Sequence, residues 1–322
     1  MTMLCRLLAL SIAALCLAAA PAAAQDYPTR PVRVLVGFTP GASADITARV
    51  LATRLTQILN QQIVVENKPG AGSNLAADYV SHAAKDGYTL LIGTSANLTN
   101  AVITPGLAFD FVKDFAPIAL ITTAPVILVV HPSLEVNSVQ ELIALARKKP
   151  GELNYASTGV GAAPHLAGEL FNARAGVKIV HVPYQGSPQA VTDLLAGRVS
   201  MMFSPASAVI PHVKAGKLKA LASATSRRPS IAPDLPTMAE AGLPDFDTSI
   251  WFGLMAPTGT PQPIIDKLAA AVNAALKSDE AKASYAAQGF DLLGGGPADM
   301  ARTIATDTKR WTIAAQAAGL KK

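Results

Sequence analysis

The stretch that decides the fold reads Val32-Arg33-Val34-Leu35-Val36-Gly37-Phe38-Thr39-Pro40-Gly41-Ala42-Ser43-Ala44-Asp45-Ile46-Thr47-Ala48-Arg49. Its first residues are mostly β-branched or aliphatic, a Pro-Gly pair follows, and beyond Ser43 the apolar residues recur with helical spacing. This order predicts a buried strand, a tight loop and a helix. The loop therefore lies at the carboxyl end of its strand and at the start of the helix.

The start of this predicted helix is suited to an anion. The first N–H groups of a helix have no partner within the helix, and the helix dipole adds partial positive charge there. A carboxylate in front of the loop would accept hydrogen bonds from the main chain. Alternatively, Ser43 or Asp45 only caps the helix and nothing binds. The stretch alone leaves both interpretations open.

Composition excludes several classes of protein. The 322 residues are 50% hydrophobic, which is enough apolar material for two folded domains and excludes a disordered or fibrous chain. The formal net charge is +5 and aromatic residues make up 5%, so the basic and aromatic surface of a nucleic-acid-binding protein is missing. We expect no nucleic-acid partner. The mild positive charge instead suits a small anionic ligand.

Residues 1–24 have the pattern of a secretory signal peptide. The apolar run Leu7–Ala20 is shorter than the roughly 20 residues that span a bilayer. Ala22-Ala23-Ala24 provides the small residues of a cleavage site. Both cysteines, Cys5 and Cys16, lie within this segment. We therefore expect a periplasmic protein whose mature chain has neither disulfides nor thiolate metal ligands.

Beyond this segment, short apolar runs typical of strands alternate with runs of helical periodicity. This rhythm predicts an α/β protein with mostly parallel sheets that are flanked by helices. It is interrupted near Pro125, between two β-rich runs, and at Ser249–Met255, a strand that follows a proline-rich segment. We interpret both points as crossovers, which assigns residues 25–125 and 249–322 to lobe 1 and residues 126–248 to lobe 2. A ligand cleft is expected between the lobes.

A second strand-to-helix loop, Ser157–Gly161, has the same anion-binding potential. It superficially resembles a dinucleotide-binding fingerprint, but Pro164 stands where a third glycine is needed, so we predict no nucleotide cofactor. His165 lies in the first turn of the following helix, where its ring either faces the cleft or serves capping or packing. The ligand donors predicted in this loop are Ser157, Thr158, Gly159 and Gly161.

Further loops at strand ends offer hydroxyl and amide groups and little charge. Without a nucleophile beside a base, such groups suit binding more than turnover. The sequence has no Gly-x-Ser-x-Gly elbow, and its five histidines are not spaced as metal ligands. We therefore predict a binding protein without a metal or cofactor, and not an enzyme. The polar residues in these loops are Thr94, Ser95, Asn97, Tyr184, Gln185 and Ser204, and Ala206 follows the last of them.

Several short motifs run through the chain from Tyr27 onwards, each weak alone and specific in combination. They are Tyr27-Pro28, Thr39-Pro40-Gly41 with Asp45 and Ala48-Arg49, Asn67-Lys68-Pro69-Gly70-Ala71, Asp86-Gly87-Tyr88-Thr89-Leu90, the run 159–171, Val182-Pro183-Tyr184-Gln185-Gly186, Asp193-Leu194-Leu195-Ala196-Gly197 and Pro236-Thr237-Met238-Ala239-Glu240. With these motifs the chain resembles the Bug family of extracytoplasmic solute-binding proteins, the receptors of tripartite tricarboxylate transporters.

The resemblance implies a two-lobed periplasmic binding protein fold of type II-like architecture, whose lobes close over the ligand like a flytrap. In that family, main-chain amides and ordered waters of the two strand-to-helix loops hold the ligand carboxylate. The chain departs from the family pattern at Gly41-Ala42, where a Pro-Gly-Gly turn is usual, and at Gly37, where proline is common. On lobe 1 the corresponding ligand-binding residues are Phe38, Thr39, Pro40, Gly41, Ala42, Ser43 and Asp45.

The resemblance also implies the partners of the protein. These are a small carboxylate and the permease subunits of a tripartite tricarboxylate transporter, with the receptor itself a monomer. A sensory receptor without its own permease is an open alternative, and an enzyme acting on a small organic acid is a less favoured one. The pocket loops contain no arginine, which favours a monocarboxylate or a weakly anchored dicarboxylate over citrate.

Overall fold

A computed structural model describes residues 27–160, 162–225, 227–244, 246 and 248–317. The predicted signal segment and Gly161 lie outside the described residues. The strands are β1 (Val32–Val36), β2 (Ile63–Asn67), β3 (Thr89–Thr94), β4 (Phe115–Ala124), β5 (Val126–Val130), β6 (Asn154–Ser157), β7 (Val180–Pro183), β8 (Met201–Pro205), β9 (Lys219–Ser223), β10 (Ile250–Pro257) and β11 (Asp291–Leu292). The α-helices are α1 (Ser43–Leu59), α2 (Asn74–Ser81), α3 (Ser95–Ile103), α4 (Val139–Lys148), α5 (Ala163–Ala175), α6 (Ser187–Leu195), α7 (Ala206–Lys214), α8 (Gln262–Lys277), α9 (Asp279–Ala287) and α10 (Pro297–Ala317).

The strands form two sheets that share one topology. The first sheet has the order β11-β4-β10-β3-β1-β2, and the second has the order β7-β6-β8-β5-β9. In the first, β1 lies parallel to β2 and β3, with Val34 opposite Val65 and Leu90. In the second, β6 lies in the same way between β7 and β8. Each parallel triplet is followed by one antiparallel strand, β10 or β5.

The prediction of mostly parallel sheets is confirmed for strand direction, since four strands of each sheet point the same way, and each sheet also contains one strand that crosses over from the other sheet and runs against them. β10 runs antiparallel to β3 and β4, and β5 runs antiparallel to β8 and β9. Each of these two strands enters its sheet from the other sheet: β5 follows β4 after Pro125 alone, and β10 returns after β9. A strand that arrives in this way does not follow a helical crossover within its own sheet, so it is free to run antiparallel. Because the chain crosses between the sheets at these two points, we propose that lobe 1 consists of residues 25–125 and 249–322 and lobe 2 of residues 126–248.

Helix α3 differs from the sequence-based expectation, which placed a polar loop at residues 93–97. β3 continues to Thr94, and α3 begins immediately afterwards. The hydroxyl of Thr94 accepts a hydrogen bond from the amide of Ala96 at 3.1 Å, and the side-chain oxygen of Asn97 accepts one from the amide of Thr94 at 3.0 Å. This capping box starts a helix where the first turn has little apolar periodicity.

The crossover strand β10 lies at the centre of the hydrophobic core and is buried along its whole length. The indole nitrogen of Trp251 donates a hydrogen bond to Asp307 of α10 at 2.8 Å, which satisfies a polar group inside the core. No described helix combines the length and the apolar character that crossing a bilayer requires. A helix follows each of five strands, which are β1, β3, β6, β7 and β8.

Candidate functional site

Five helix N-termini border one small cavity between the two sheets, which we call the inner cavity. Helices α1 and α3 approach it from the first sheet, and α5, α6 and α7 from the second. Its volume is ≈ 30 Å³. One water molecule needs about 10–15 Å³ on this scale, so the cavity suits a group of carboxylate size. The inner cavity is lined by Phe38, Ala42, Ser43, Ala44, Thr94, Ser95, Ala96, Thr158, Ala162, Ala163, Pro164, Ser187, Pro205, Ile250 and Phe252.

Four of these five helices begin without a side-chain cap. The residues that precede α1, α5, α6 and α7 are Ala42, Ala162, Gly186 and Pro205, and no side chain there accepts a hydrogen bond from the first turn. Each helix start carries a partial charge of roughly +0.5. Among the described lining residues none is acidic or basic. The site therefore offers positive potential and main-chain donors without a cationic side chain.

Asp45 organises the first loop from behind. Its carboxylate accepts hydrogen bonds from the Gly41 amide at 2.9 Å, from Nε of Arg49 at 3.0 Å and from Nδ2 of Asn67 at 2.8 Å. Burial alone would raise the pKa of Asp45, but these hydrogen bonds together lower it below its usual value. Asn67 also donates to the carbonyl of Phe38 at 3.0 Å. Asp45 thus fixes the shape of the loop and does not line the inner cavity.

Ser157 fixes the second loop in a similar way. Its buried hydroxyl accepts a hydrogen bond from the Gly159 amide at 3.2 Å and lies 2.7 Å from Nε2 of His181. A serine beside a histidine is the pair that a hydrolase would use. Ser157 is fully buried, however, and lines neither this cavity nor the larger one beside it. The pair therefore serves to hold the loop.

His165 packs under the same loop, which answers the question that the sequence left open. Its ring is buried and stacks on His181 with ring centroids 4.1 Å apart, and His181 stacks in turn on Tyr155 at 4.9 Å. Burial lowers the pKa of His165 to about 4. Burial, together with the charge of His165, lowers the pKa of His181 to about 4 as well. Both rings are consequently neutral at neutral pH.

The two sides of the cleft touch each other around the inner cavity. The hydroxyls of Ser43 and Ser207 lie 2.9 Å apart. A Cβ built on Gly186 would lie 2.3 Å from the hydroxyl oxygen of Thr39 across the cleft. That buried oxygen has no hydrogen-bond partner among the described residues. These contacts show a closed arrangement in which Thr39 faces the opposite loop and not the cavity.

A larger cavity, which we call the outer chamber, adjoins the inner cavity at Phe38 and Thr158. Its volume is ≈ 260 Å³. The hydroxyl of Tyr184 donates a hydrogen bond to Asp193 at 2.8 Å, and burial followed by the charge of Asp193 raises the pKa of Tyr184 to about 12. The outer chamber is lined by Gly37, Phe38, Gly70, Ala71, Gly72, Thr158, Gly159, Val160, Pro183, Tyr184 and Gln185.

The predicted ligand-binding residues thus fall into three groups. Those that line the inner cavity are Phe38, Ala42, Ser43, Thr94, Ser95 and Thr158. Those that line the outer chamber are Phe38, Thr158, Gly159, Tyr184 and Gln185. Those that line neither are Thr39, Pro40, Gly41, Asp45, Asn97, Ser157, His165, Ser204 and Ala206. Gly161 lies outside the described residues, and the role of every residue in ligand binding stays a prediction.

Sequence reasoning missed three parts of the site. Ser187 begins α6 directly after a strand-end loop, and this strand-to-helix pattern is the signal that could have identified it. Ile250 and Phe252 line the cavity from the crossover strand β10. Because every residue of this strand is buried, the sequence gives no signal that distinguishes the residues that face the cavity. The sequence analysis predicts no ligand-binding residue in the loop 70–72, although its glycines are typical of a close approach between backbones.

Comparison with known proteins finds similar chains and similar structures. The chain is 39% identical to Protein BugT of Bordetella pertussis over 305 residues, which cover 94% of both chains. The structure of R. palustris Rpa4515 with adipate has a TM-score of 0.88 at 39% identity and covers 91% of this chain and 98% of that one. The structure of the periplasmic binding protein BugD has a TM-score of 0.87 at 31% identity and covers 92% and 100%.

These matches confirm the predicted resemblance and the two-lobed fold. They also confirm that the protein is not an enzyme, because the relatives are solute-binding receptors of the periplasm. The family described as "Tripartite tricarboxylate transporter family receptor" matches residues 47–320. The chain therefore belongs to the family of tripartite tricarboxylate transporter receptors.

Proposed function

We propose that the protein captures a small carboxylate between its lobes and delivers it to the membrane permease of a tripartite tricarboxylate-type transporter. The N-terminal segment 1–24 is, in this proposal, the signal that directs the chain to the periplasm and is then cleaved. The observation that carries the proposal is the convergence of five helix N-termini, four of them uncapped, on a cavity whose described lining residues include no charged side chain. The adipate in Rpa4515 supports a carboxylate as ligand.

Main-chain amides and waters hold the carboxylate in this proposal. The hydroxyl of Ser95 is buried at the inner cavity and has no hydrogen-bond partner among the described residues, so it is available to the ligand. An anion that touches helices of both lobes stabilises the closed form, because only closure brings those helices together. Asp45 and Ser157 keep the two loops in the shape that binding requires.

A thermal-shift screen of purified, ligand-stripped protein tests the proposal. At a concentration 100-fold above its Kd, a ligand adds about 2.7 kcal/mol to the free energy of unfolding, which raises Tm by roughly 5–10 °C. We expect such a shift with small carboxylic acids and none with their uncharged amides. If no acid shifted the Tm, or if the amides shifted it equally, carboxylate capture would be refuted. Delivery is tested by deleting the receptor, which should abolish uptake of the identified acid by cells.

A further inference from the structure

We propose that the ligand is a monocarboxylate with an uncharged tail, whose carboxylate lies in the inner cavity and whose tail lies in the outer chamber. This inference rests on the proposed function and adds the class of acid. It starts from the difference in size between two adjoining spaces, ≈ 30 Å³ and ≈ 260 Å³. The inner cavity is filled by a carboxylate group. The remainder of a larger acid is placed in the outer chamber, because this space shares Phe38 and Thr158 with the inner cavity.

The outer chamber is bounded by a strained loop. Four consecutive residues, Gly70 to Ser73, have φ values of 132°, 47°, 62° and 81°. Two of them, Ala71 and Ser73, are not glycine, and residues with a side chain rarely adopt such a conformation. Asn100 of α3 retains it by donating a hydrogen bond to the carbonyl of Gly72 at 2.8 Å. The helix that begins at the inner cavity therefore also fixes the wall of the outer chamber.

This loop comes very close to the opposite lobe. A Cβ built on Gly72 would lie 2.4 Å from the carbonyl oxygen of Val160, and one built on Gly159 would lie 3.5 Å from Cα of Gly72. Only glycine at position 72 allows this approach without displacing the loop. The outer chamber is thus completed by both lobes together. A tail that fills it contributes to closure in addition to the carboxylate.

The groups that line the outer chamber suit an uncharged tail. None of the described lining residues is acidic or basic. Phe38, Val160, Pro183 and the ring of Tyr184 provide apolar surface, while the Tyr184 hydroxyl is engaged with Asp193. A second carboxylate placed here would lose hydration without gaining an opposite charge. An uncharged tail would instead gain by removing apolar surface from water.

Calorimetric titration of the ligand-stripped protein with four acids tests the inference. Propionate reaches only the inner cavity, hexanoate and the monoamide of adipate carry an uncharged tail, and adipate carries a second carboxylate. We expect hexanoate and the monoamide to bind at least tenfold more tightly than propionate and adipate. Adipate binding as tightly as its monoamide, or propionate as tightly as hexanoate, would overturn the inference while leaving carboxylate capture intact. Absence of binding by all four acids would overturn the proposed function as well.

A charge placed on the wall of the outer chamber provides a second test. Val160 is 51% exposed, so Val160→Lys is compatible with the fold. We expect this variant to bind adipate at least fivefold more tightly than the wild type does. The matched control is Val180→Lys, since Val180 is 45% exposed on the same lobe and lines neither cavity. Equal adipate affinity in the two variants would overturn the inference.

Discussion

Replacing Gly186 with alanine should hinder closure of the lobes. A Cβ at this position would lie 2.3 Å from the hydroxyl oxygen of Thr39, whereas ordinary contacts begin near 3.4 Å. The backbone of Gly186 is extended, with a φ of 165°, so alanine adds no backbone strain. The overlap of about 1 Å exists only in the closed form, because the two residues belong to opposite sides of the cleft.

The size of the effect follows from the cost of overpacking. Steric overlap of one methyl group in a packed interface costs about 1–3 kcal/mol. Since the open form does not bear this cost, the whole penalty appears in ligand affinity, which is expected to fall by about 5–150-fold. Isothermal titration calorimetry measures the loss, and small-angle scattering with and without ligand shows whether the lobes still close. The free energy of unfolding without ligand verifies that the variant is folded.

A second substitution makes this prediction specific. Thr39→Ala removes the hydroxyl, which has no hydrogen-bond partner in the described part of the chain, and leaves the residue 39 Cβ at an ordinary distance of 3.5 Å from the new methyl group. We expect Thr39→Ala alone to bind as the wild type does, and the double variant to recover wild-type affinity within about twofold. A double variant as weak as Gly186→Ala would refute the steric explanation. A loss in Thr39→Ala alone would show that the hydroxyl serves the ligand.

Three further variants test the supporting contacts. Asp45→Asn should lower the free energy of unfolding at pH 7 by about 1.5–3 kcal/mol, because it removes charged hydrogen bonds. The pKa of Asp45 is lowered in the folded protein, so this stabilisation is present above about pH 4 and disappears as the pH falls through the folded pKa. Identical urea unfolding curves of the wild type and Asp45→Asn at pH 7 would contradict this prediction. Burial lowers the pKa values of His165 and His181 to about 4, so the unfolded chain binds protons from about pH 6.5 and stability should fall between pH 6.5 and 4. In denaturant titrations, His181→Gln should make this fall in the free energy of unfolding less steep. If the stability of the variant and of the wild type changed with pH in parallel, the fall would not come from His181. Ser207→Ala removes the contact with Ser43 between the lobes and should weaken ligand binding by about 2–10-fold, a cost of 0.5–1.5 kcal/mol; an unchanged Kd by calorimetry would show that this contact does not support closure.

Much of the fold is accessible from local patterns, because helix starts and buried strands leave a signal in the residues themselves. The predicted strand, loop and helix of residues 32–49 are present as β1 and as α1, which begins at Ser43. The direction of β5 and β10 does not follow from local pattern, because it depends on where the chain crosses between sheets. Helix α3 escaped prediction since its start depends on the Thr94 capping box and not on apolar periodicity.

The site shows the same division between local and tertiary information. Both strand-to-helix loops could be predicted, because unpaired amides at a helix start are a local property. Which of the predicted side chains turn away from the cavity could not be predicted. Asp45 turns back onto its own loop through Arg49 and Asn67, and Ser157 turns towards His181, 24 residues further along the chain. Such partners are chosen by packing, for which sequence spacing gives no signal.

The uncapped helix starts around the inner cavity have a consequence for how these receptors diversify. An amide N–H belongs to the backbone, so a point mutation other than to proline leaves it in place. In the proposed binding mode, the donors that hold the carboxylate are therefore retained when the side chains around them differ. The side chains that line the outer chamber, such as that of Val160, by contrast change with every substitution. In the proposed function, the preferred acid can therefore change through the residues of the outer chamber while the main-chain carboxylate site is kept.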